Sequence, residues 1–178
     1  MSSGKSGGDT PRIYVADLAA YNSGRLHGAW VDATLSPDEI QEEIQKILRS
    51  SPEPDAEEWA IHDYENFGGL QLSESEDMEK ISQVANLIKE HGPLFAEVVS
   101  HFGGVRYLDD AVEAMAENYQ GEFDVLADWA ERFAEDTGAP PETYQSYIDW
   151  ERVGNDAEMG GDIFTIDLDG KVHVFFSR

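Results

Sequence analysis

Apolar and polar residues alternate in three short runs within the first 73 residues, which is the pattern of strands with one buried face. The runs cover residues 13–17, 26–31 and 59–64. Between the first two runs, residues 21–24 have the sequence YNSG, which is typical of a turn. We therefore predict two strands joined by a turn, followed by a third strand further along the chain.

The spacing of apolar residues becomes helical after residue 36. Ser36 can cap a helix, Pro37 suits its first position, and Glu39 can complete a capping box. Four apolar side chains at helical spacing would form the buried face of this helix: Ile40, Ile44, Ile47 and Leu48. The sequence therefore predicts an N-terminal α+β domain over residues 11–73, with a small antiparallel sheet and one helix.

Residues 74–114 carry only helical patterns, which predicts a central helical domain. One helix is predicted over residues 75–90, because Gly92 can end it. A second helix is predicted to begin at Pro93 and to end at Gly103. Residues 108–118 also have helical spacing and lead into the last part of the chain.

Residues 115–178 mix both patterns and predict a C-terminal α+β domain. An amphipathic helix is predicted over residues 124–137 and a short helix over 144–152, while residues 119–123 can form a strand. A closing hairpin is predicted from two strands, 163–167 and 172–176, joined by the turn sequence Asp169-Gly170. Together the patterns predict an α+β fold, arranged as an elongated chain of three small domains after a disordered Ser/Gly-rich tail at 1–10.

The charge of the chain changes this picture more than any other property. The sequence holds 37 acidic and 12 basic residues, with a formal net charge of −25. Such an excess opposes compaction and repels nucleic acid, so it needs an explanation. Three explanations compete: adaptation to a high-salt cytoplasm, disorder, and a surface that meets a strongly basic partner.

Two observations favour the basic partner. Disorder fits poorly with an aromatic content of 11% and with clear apolar periods. Residues 1–35 are neutral overall, so the whole acidic excess lies in residues 36–178. Adaptation to salt should acidify every exposed surface alike, and this asymmetry counts against it.

The acids of the predicted helix over 124–137 are spaced for one face. Asp124, Asp128, Glu131 and Glu135 follow one another at intervals of 4, 3 and 4 residues. In a helix they would span about 16 Å, or about 5.5 Å per charge. One strand of B-DNA carries a phosphate every ~3.4 Å, so several such helices would be needed to imitate a duplex.

The same spacing recurs earlier, where Asp109 or Asp110 is followed by Glu113 and Glu117. Across residues 107–138 there are ten acids and a single basic residue, Arg132. We take these ten as candidate partner-binding residues: Asp109, Asp110, Glu113, Glu117, Glu122, Asp124, Asp128, Glu131, Glu135 and Asp136. The alternative is a solvated helix face, although such a face usually mixes both signs of charge.

Patterns that indicate catalysis or a cofactor are weak in this sequence. With so many carboxylates, acid–base pairs arise by chance, so a hydrolase with paired carboxylates remains only a remote alternative. The chain has no cysteine, no HExxH pattern and no glycine-rich phosphate loop, and His62-Asp63 lies in a predicted strand. We therefore predict no catalytic residue, metal or cofactor, and no direct binding of nucleic acid. The lack of a long apolar run predicts a soluble, cytoplasmic protein.

Several sequence blocks resemble those of the ArdA antirestriction family. They are RIYVADL at 12–18, YNSG at 21–24, LHGAW at 26–30, EWAIHDYE at 58–65, and YIDWERVGND at 147–156 followed by Gly161-Asp162. The blocks stand in the family's order from about residue 12 to residue 176. They are aromatic and glycine-rich, and we interpret them as residues that form the fold.

The resemblance implies a protein of mobile DNA that inhibits type I restriction-modification enzymes. Members of this family are homodimers of three small domains per chain, whose acids imitate phosphates and occupy the DNA groove of the methyltransferase core. The resemblance also implies that the C-terminal domains form the dimer contact. The stretch 122–136 matches the family's antirestriction motif, but it has few apolar residues before Asp124.

A second class of function stays open beside this one. An acidic adaptor could bind another basic host protein, such as an RNA polymerase subunit or a nucleoid protein. Recovery of the modification subunits of a type I enzyme would separate an antirestriction protein from such an adaptor. The sequence therefore predicts a binding protein rather than an enzyme.

Overall fold

A computed structural model describes residues 9–177 of the protein. The disordered tail predicted for residues 1–10 lies outside these residues, except for Asp9 and Thr10. The chain forms two compact units, which we call the N-terminal unit (up to Ala111) and the C-terminal unit (from Val112). Each unit contains helices and a small antiparallel sheet, which confirms the predicted α+β class.

The sheet of the N-terminal unit has three antiparallel strands. They are β1 (Arg12–Asp17), β2 (Gly28–Asp32) and β3 (Trp59–Glu65), and their order in the sheet is β2-β1-β3. Ile13 and Val15 of the middle strand are fully buried, as the alternating pattern requires. The three predicted strands are therefore confirmed.

Two helices accompany this sheet. The predicted helix is α2 (Pro37–Arg49), and the hydroxyl of Ser36 accepts a hydrogen bond of 3.2 Å from the backbone N–H of Glu39. The predicted turn at 21–24 is wrong in its first half, because a short helix, α1 (Leu18–Asn22), fills the connection. Asp17 caps that helix by accepting hydrogen bonds from the backbone of Ala19 and Ala20.

The rest of the N-terminal unit is helical, as predicted. It contains α3 (Met78–His91), α4 (Pro93–Phe102), a single 3₁₀ turn (Val105–Tyr107) and most of α5 (Leu108–Glu113). Hydrogen bonds join α3 to the segment between β2 and α2, since Ser82 donates to the carbonyl of Leu35 at 2.7 Å and Asn86 to that of Thr34 at 3.0 Å. The division of this unit into domains of residues 11–73 and 74–114 stays a prediction.

The C-terminal unit begins within α5 and contains the second sheet. The elements that follow α5 are a π-helical turn (Ala114–Asn118), β4 (Tyr119–Phe123), α6 (Leu126–Gly138), α7 (Glu142–Gln145), α8 (Trp150–Met159), β5 (Ile163–Leu168) and β6 (Lys171–Phe176). The strand order is β4-β6-β5, with both pairs antiparallel. Residues 119–123 thus form a strand.

One predicted element of this unit is wrong and another is confirmed. The short helix predicted over 144–152 is replaced by α7 and α8, because Asp149 accepts a hydrogen bond from the backbone of Arg152 and starts a new helix there. The closing hairpin is confirmed. Its turn residues Asp169 and Gly170 have φ angles of 53° and 76°, which fit the two-residue turn that twists with its strands.

The core of the C-terminal unit is small. Its buried cluster consists of Trp129, Ala130, Ile163 and Val174, with partly buried apolar side chains around it. Gly154 allows α8 to approach α6, since a Cβ atom there would lie 2.8 Å from Cγ of Leu126. No helix within residues 9–177 combines the length and apolar character that crossing a bilayer requires.

Candidate partner-binding surface

The ten candidate acids share one property in the structure, which is that every one of their side chains is exposed. Asp109 and Asp110 belong to the N-terminal unit, and the other eight belong to the C-terminal unit. Exposure makes these carboxylates accessible to a partner.

Helix α6 carries the clearest row of acids. Asp128, Glu131 and Glu135 lie at helical spacings of 3 and 4 residues, while Trp129 and Ala130 of the same helix are buried. The three carboxylates span about 10 Å along the helix axis. None of the three forms an ion pair with a residue of the described chain. We call these three residues the α6 stripe.

Asp124 does not belong to this stripe, so the prediction of a four-residue helical face is wrong at its first member. Helix α6 begins at Leu126, with Val125 in extended conformation before it. Asp124 instead forms an ion pair with Lys171 at the start of β6. The hydrogen bond to Asp124 is the main cause that raises the pKa of Lys171 above its ordinary value.

Asp136 also has a cationic neighbour. The Nε atom of Arg132, one turn earlier on α6, lies 3.8 Å from the Asp136 carboxylate. A guanidinium group within about 6 Å of a ring centroid is attracted to the face of that ring. Here the guanidinium lies 5.5 Å from the ring centroid of Phe123. The guanidinium group of Arg132, the single basic residue among the ten acids, is thus directed toward Phe123 and Asp136 rather than paired with an acid of the stripe.

The acids that precede β4 lie on two kinds of helical turn. Asp109, Asp110 and Glu113 lie on α5, but Glu117 lies in the π-helical turn. A π turn contains more residues than an α turn, so it rotates the residues that follow it. The helix thus changes from α to π geometry between Glu113 and Glu117, and all four side chains are exposed.

Glu122 lies beside a buried histidine that the sequence analysis did not select. His173 of β6 is the partner of Glu122 in the β4–β6 register, and its Nε2 atom lies 3.9 Å from the Glu122 carboxylate. Its Nδ1 atom lies 2.8 Å from the hydroxyl oxygen of Tyr119. Burial, followed by the nearby Glu122 carboxylate, raises the pKa of Tyr119.

Lys171 and His173 are two neighbours of candidate acids that sequence reasoning missed. Both lie on β6, more than 45 residues from the acids that they face. Only the pairing of β4 with β6 brings them together. The strand pattern of residues 119–123 is the one signal in the sequence that could have suggested this pairing.

The structure offers little that resembles a catalytic or metal site. A cavity of about 630 Å³ in the N-terminal unit has one carboxylate in its lining, that of Asp9, beside Lys89 and Asn66. It therefore lacks the pair of carboxylates that a hydrolase of this kind needs. In the part of the chain that the structure describes, no three potential metal-ligand side chains cluster together.

A comparison with known families gives one match. The model of the family described as antirestriction protein (ArdA) matches residues 13–170, which is nearly the whole chain. The matched range includes all ten candidate acids and ends just before Lys171 and His173. No curated protein matches the sequence.

Proposed function

The chain belongs to the antirestriction protein (ArdA) family, and we propose that it inhibits type I restriction-modification enzymes by imitating DNA. In this mechanism, folded carboxylates occupy the basic groove of the methyltransferase core in place of phosphates. The inhibition is competitive and electrostatic, and the protein catalyses no reaction. It binds the enzyme rather than the nucleic acid, because its own charge repels DNA.

The exposed, unpaired α6 stripe is the observation that carries this proposal. An acid that already pairs with a lysine or arginine gains less from a basic partner than an acid that is hydrated and unpaired. The chain has few cations, and six of them form ion pairs with acids outside the stripe: Arg12, Arg25, Lys46, Arg132, Arg152 and Lys171. The stripe thus keeps its full charge for a partner.

The rigidity of α6 supports the same mechanism. Trp129 is 4% exposed and Ala130 is 1% exposed, so the helix is anchored by the residues next to its acids. A rigid row of charges loses little conformational entropy when it binds. A basic groove that normally neutralises phosphates would therefore meet carboxylates in fixed positions. These carboxylates follow one another every few ångströms along the helix, as phosphates do along a DNA strand.

The proposal includes a homodimer formed through the C-terminal units. Four exposed apolar side chains of this unit support it, with exposed fractions of 62%, 84%, 42% and 87%: Tyr144, Tyr147, Val153 and Met159. Two chains of charge −25 together carry the charge of about 85 Å of duplex at ~1.7 Å per charge. Sedimentation equilibrium in high salt tests this, and a monomer at all concentrations would contradict it.

Competition between the protein and a recognition-site duplex for a purified type I methyltransferase tests the inhibition itself. Neutralising the stripe (Asp128→Asn, Glu131→Gln and Glu135→Gln together) should weaken competition about tenfold, whereas each single change should weaken it about threefold or less. Competition by the unaltered protein should also weaken steeply as salt is raised, because salt screens the contacts.

A matched control separates placed charge from total charge. The variant Glu43→Gln, Glu53→Gln and Asp156→Asn loses the same three charges, but each of these acids already has a basic neighbour. It should compete almost as well as the unaltered protein. Equal weakening of both triple variants would show that only net charge matters, and failure of the unaltered protein to compete would assign the acidic surface to another basic partner.

A further inference from the structure

His173 occupies a position that nothing in the antirestriction mechanism requires. It lies on β6, the middle strand of its sheet, and is 7% exposed. Its ring stacks on that of Tyr119, with centroids 6.0 Å apart and planes inclined by 23°. A titratable side chain held this firmly beneath an acidic surface calls for an explanation of its own.

The two ring nitrogens of His173 face different partners. Because burial raises the pKa of Tyr119, its hydroxyl stays protonated and can donate its hydrogen bond to Nδ1, 2.8 Å away. A neutral imidazole that accepts at Nδ1 carries its proton on Nε2. That nitrogen lies 3.9 Å from the carboxylate of Glu122, whose side chain is 54% exposed.

We propose that His173 is a positioning residue that sets the charge which Glu122 presents to a partner. With a neutral imidazole, Glu122 keeps its full negative charge, and its carboxylate lies 3.9 Å from the Nε2 atom. When the imidazole is protonated, the positive charge of His173 partly compensates the negative charge of Glu122. The effect on inhibition rests on the function proposed above, but the coupling between the two side chains does not.

Among the charged groups near His173, Glu122 is the carboxylate whose interaction changes when His173 is protonated. On β5, the residue opposite His173 is Ile166, which does not titrate. On β6 itself, Lys171 points to the same face two residues earlier, but its ammonium group is paired with Asp124. The π-helical turn also packs against β6, and its one titratable residue, Glu117, is exposed. Helix α6 packs on the other face of β6, around Val174, so its charged residues Asp128, Glu131, Arg132, Glu135 and Asp136 do not face His173.

The consequence is a pH response confined to one acid. Histidine is the side chain that ordinarily changes charge between about pH 5 and 8, whereas exposed carboxylates stay ionised there. Protonation of His173 should therefore reduce the net charge that Glu122 presents, whereas, among the residues described, no member of the α6 stripe has a histidine paired with it. One exposed charge pair changes affinity only modestly, so we expect a two- to threefold effect, on the order of a single ion pair.

The experiment compares inhibition of a type I methyltransferase at about pH 8 and about pH 6 for a set of full-length variants. The unaltered protein should lose about two- to threefold more potency at the lower pH than Glu122→Gln and His173→Gln do. Glu131→Gln is the matched control, since it removes an exposed acid with no histidine beside it, and it should keep the pH ratio of the unaltered protein. The enzyme's own pH response is common to all variants and cancels in these ratios.

Nitrogen-15 NMR of the His173 ring tests the coupling without the enzyme. The unaltered protein should show the tautomer with the proton on Nε2, and Tyr119→Phe should reduce that preference. Glu122→Gln should shift the Nε2 resonance, whereas Glu131→Gln should not. Because Glu122 is exposed, its replacement tests the proposal even if His173→Gln does not fold.

Two results separate this inference from the proposed function. The role of His173 would be overturned if the Nε2 resonance does not respond to Glu122→Gln. It would also be overturned if Glu122→Gln inhibits more weakly than the unaltered protein but by the same factor at both pH values. A resonance that responds to Glu122→Gln while Glu122→Gln inhibits normally at both pH values would uphold the coupling. It would then count against Glu122 as part of the inhibitory surface.

Discussion

The two units differ in how much apolar core supports their charge. Of the 33 buried apolar side chains within residues 9–177, 26 belong to the N-terminal unit and 7 to the C-terminal unit. The N-terminal unit has 21 acidic and 8 basic residues over 111 positions, and the C-terminal unit has 16 and 4 over 67. Charge is therefore densest where the core is smallest, as expected if charge there is selected for a partner rather than for stability.

The difference between the two units is also visible when one helix of each is compared. In the N-terminal unit, α2 carries both signs of charge, and Lys46 lies 2.8 Å from Glu43. In α6, Glu131 and Glu135 are one turn apart and like-charged, which destabilises the helix. The small core must offset that repulsion, so the C-terminal unit should be the more sensitive of the two to loss of packing.

The largest expected effect comes from the C-terminal core itself. Trp129→Ala should lower the free energy of unfolding by about 3–5 kcal/mol, because it removes the largest side chain of the buried cluster. Phe95→Ala in α4 is the matched change in the N-terminal unit, since Phe95 is fully buried. Hydrogen exchange should show that Trp129→Ala unfolds the C-terminal unit, whereas Phe95→Ala leaves its unit folded. The opposite result would remove the contrast between the cores.

A smaller effect is expected where α6 meets α8. Gly154→Ala should cost about 1–3 kcal/mol, because the new Cβ atom would lie 2.8 Å from Cγ of Leu126 and force the helices apart. Urea unfolding followed by circular dichroism measures this cost. Asn155→Ala, at an exposed position of the same helix, is the control and should change stability by less than about 0.5 kcal/mol.

The smallest effect should have opposite signs in the two units. Glu131→Gln should stabilise the C-terminal unit by about 0.2–0.5 kcal/mol, since it removes repulsion from Glu135. Glu43→Gln should destabilise the N-terminal unit slightly, since it removes the partner of Lys46. Thermal unfolding in low salt measures both, and high salt should reduce both because it screens exposed charges.

The pH dependence of the Glu43–Lys46 pair follows from its hydrogen bond. That hydrogen bond is the main cause that raises the pKa of Lys46 in the folded chain. The contribution of the pair is therefore fully present below the ordinary lysine pKa and is lost as the pH rises through the raised one. Titration of the unfolding midpoint in alkaline solution should show this loss in the unaltered protein and not in Glu43→Gln.

Local signals in the sequence predicted most of the elements. Ser36 and Pro37 gave the start of α2, and Asp169-Gly170 gave the hairpin, because capping and turn geometry depend on neighbouring residues alone. The three strands of the first sheet followed from alternation. Each of these features is fixed within a few positions of the chain.

The features that sequence reasoning missed depend on distant residues. Asp124 has the spacing of the helix that follows it, but its ion pair with Lys171 forms across β4 and β6. The π-helical turn before β4 follows α5 without a break, and the spacing of residues alone does not reveal it. The exposure of the ten acids and the place of His173 likewise needed the folded chain.

The strand order of the second sheet has a consequence for how the protein folds as it is synthesised. Its middle strand, β6, is the last of the six described strands to leave the ribosome, and β4 and β5 pair only with it. The first sheet is complete once β3 has emerged, more than 100 residues before the end of β6. The N-terminal unit can therefore fold during translation, while the sheet of the C-terminal unit must wait for β6.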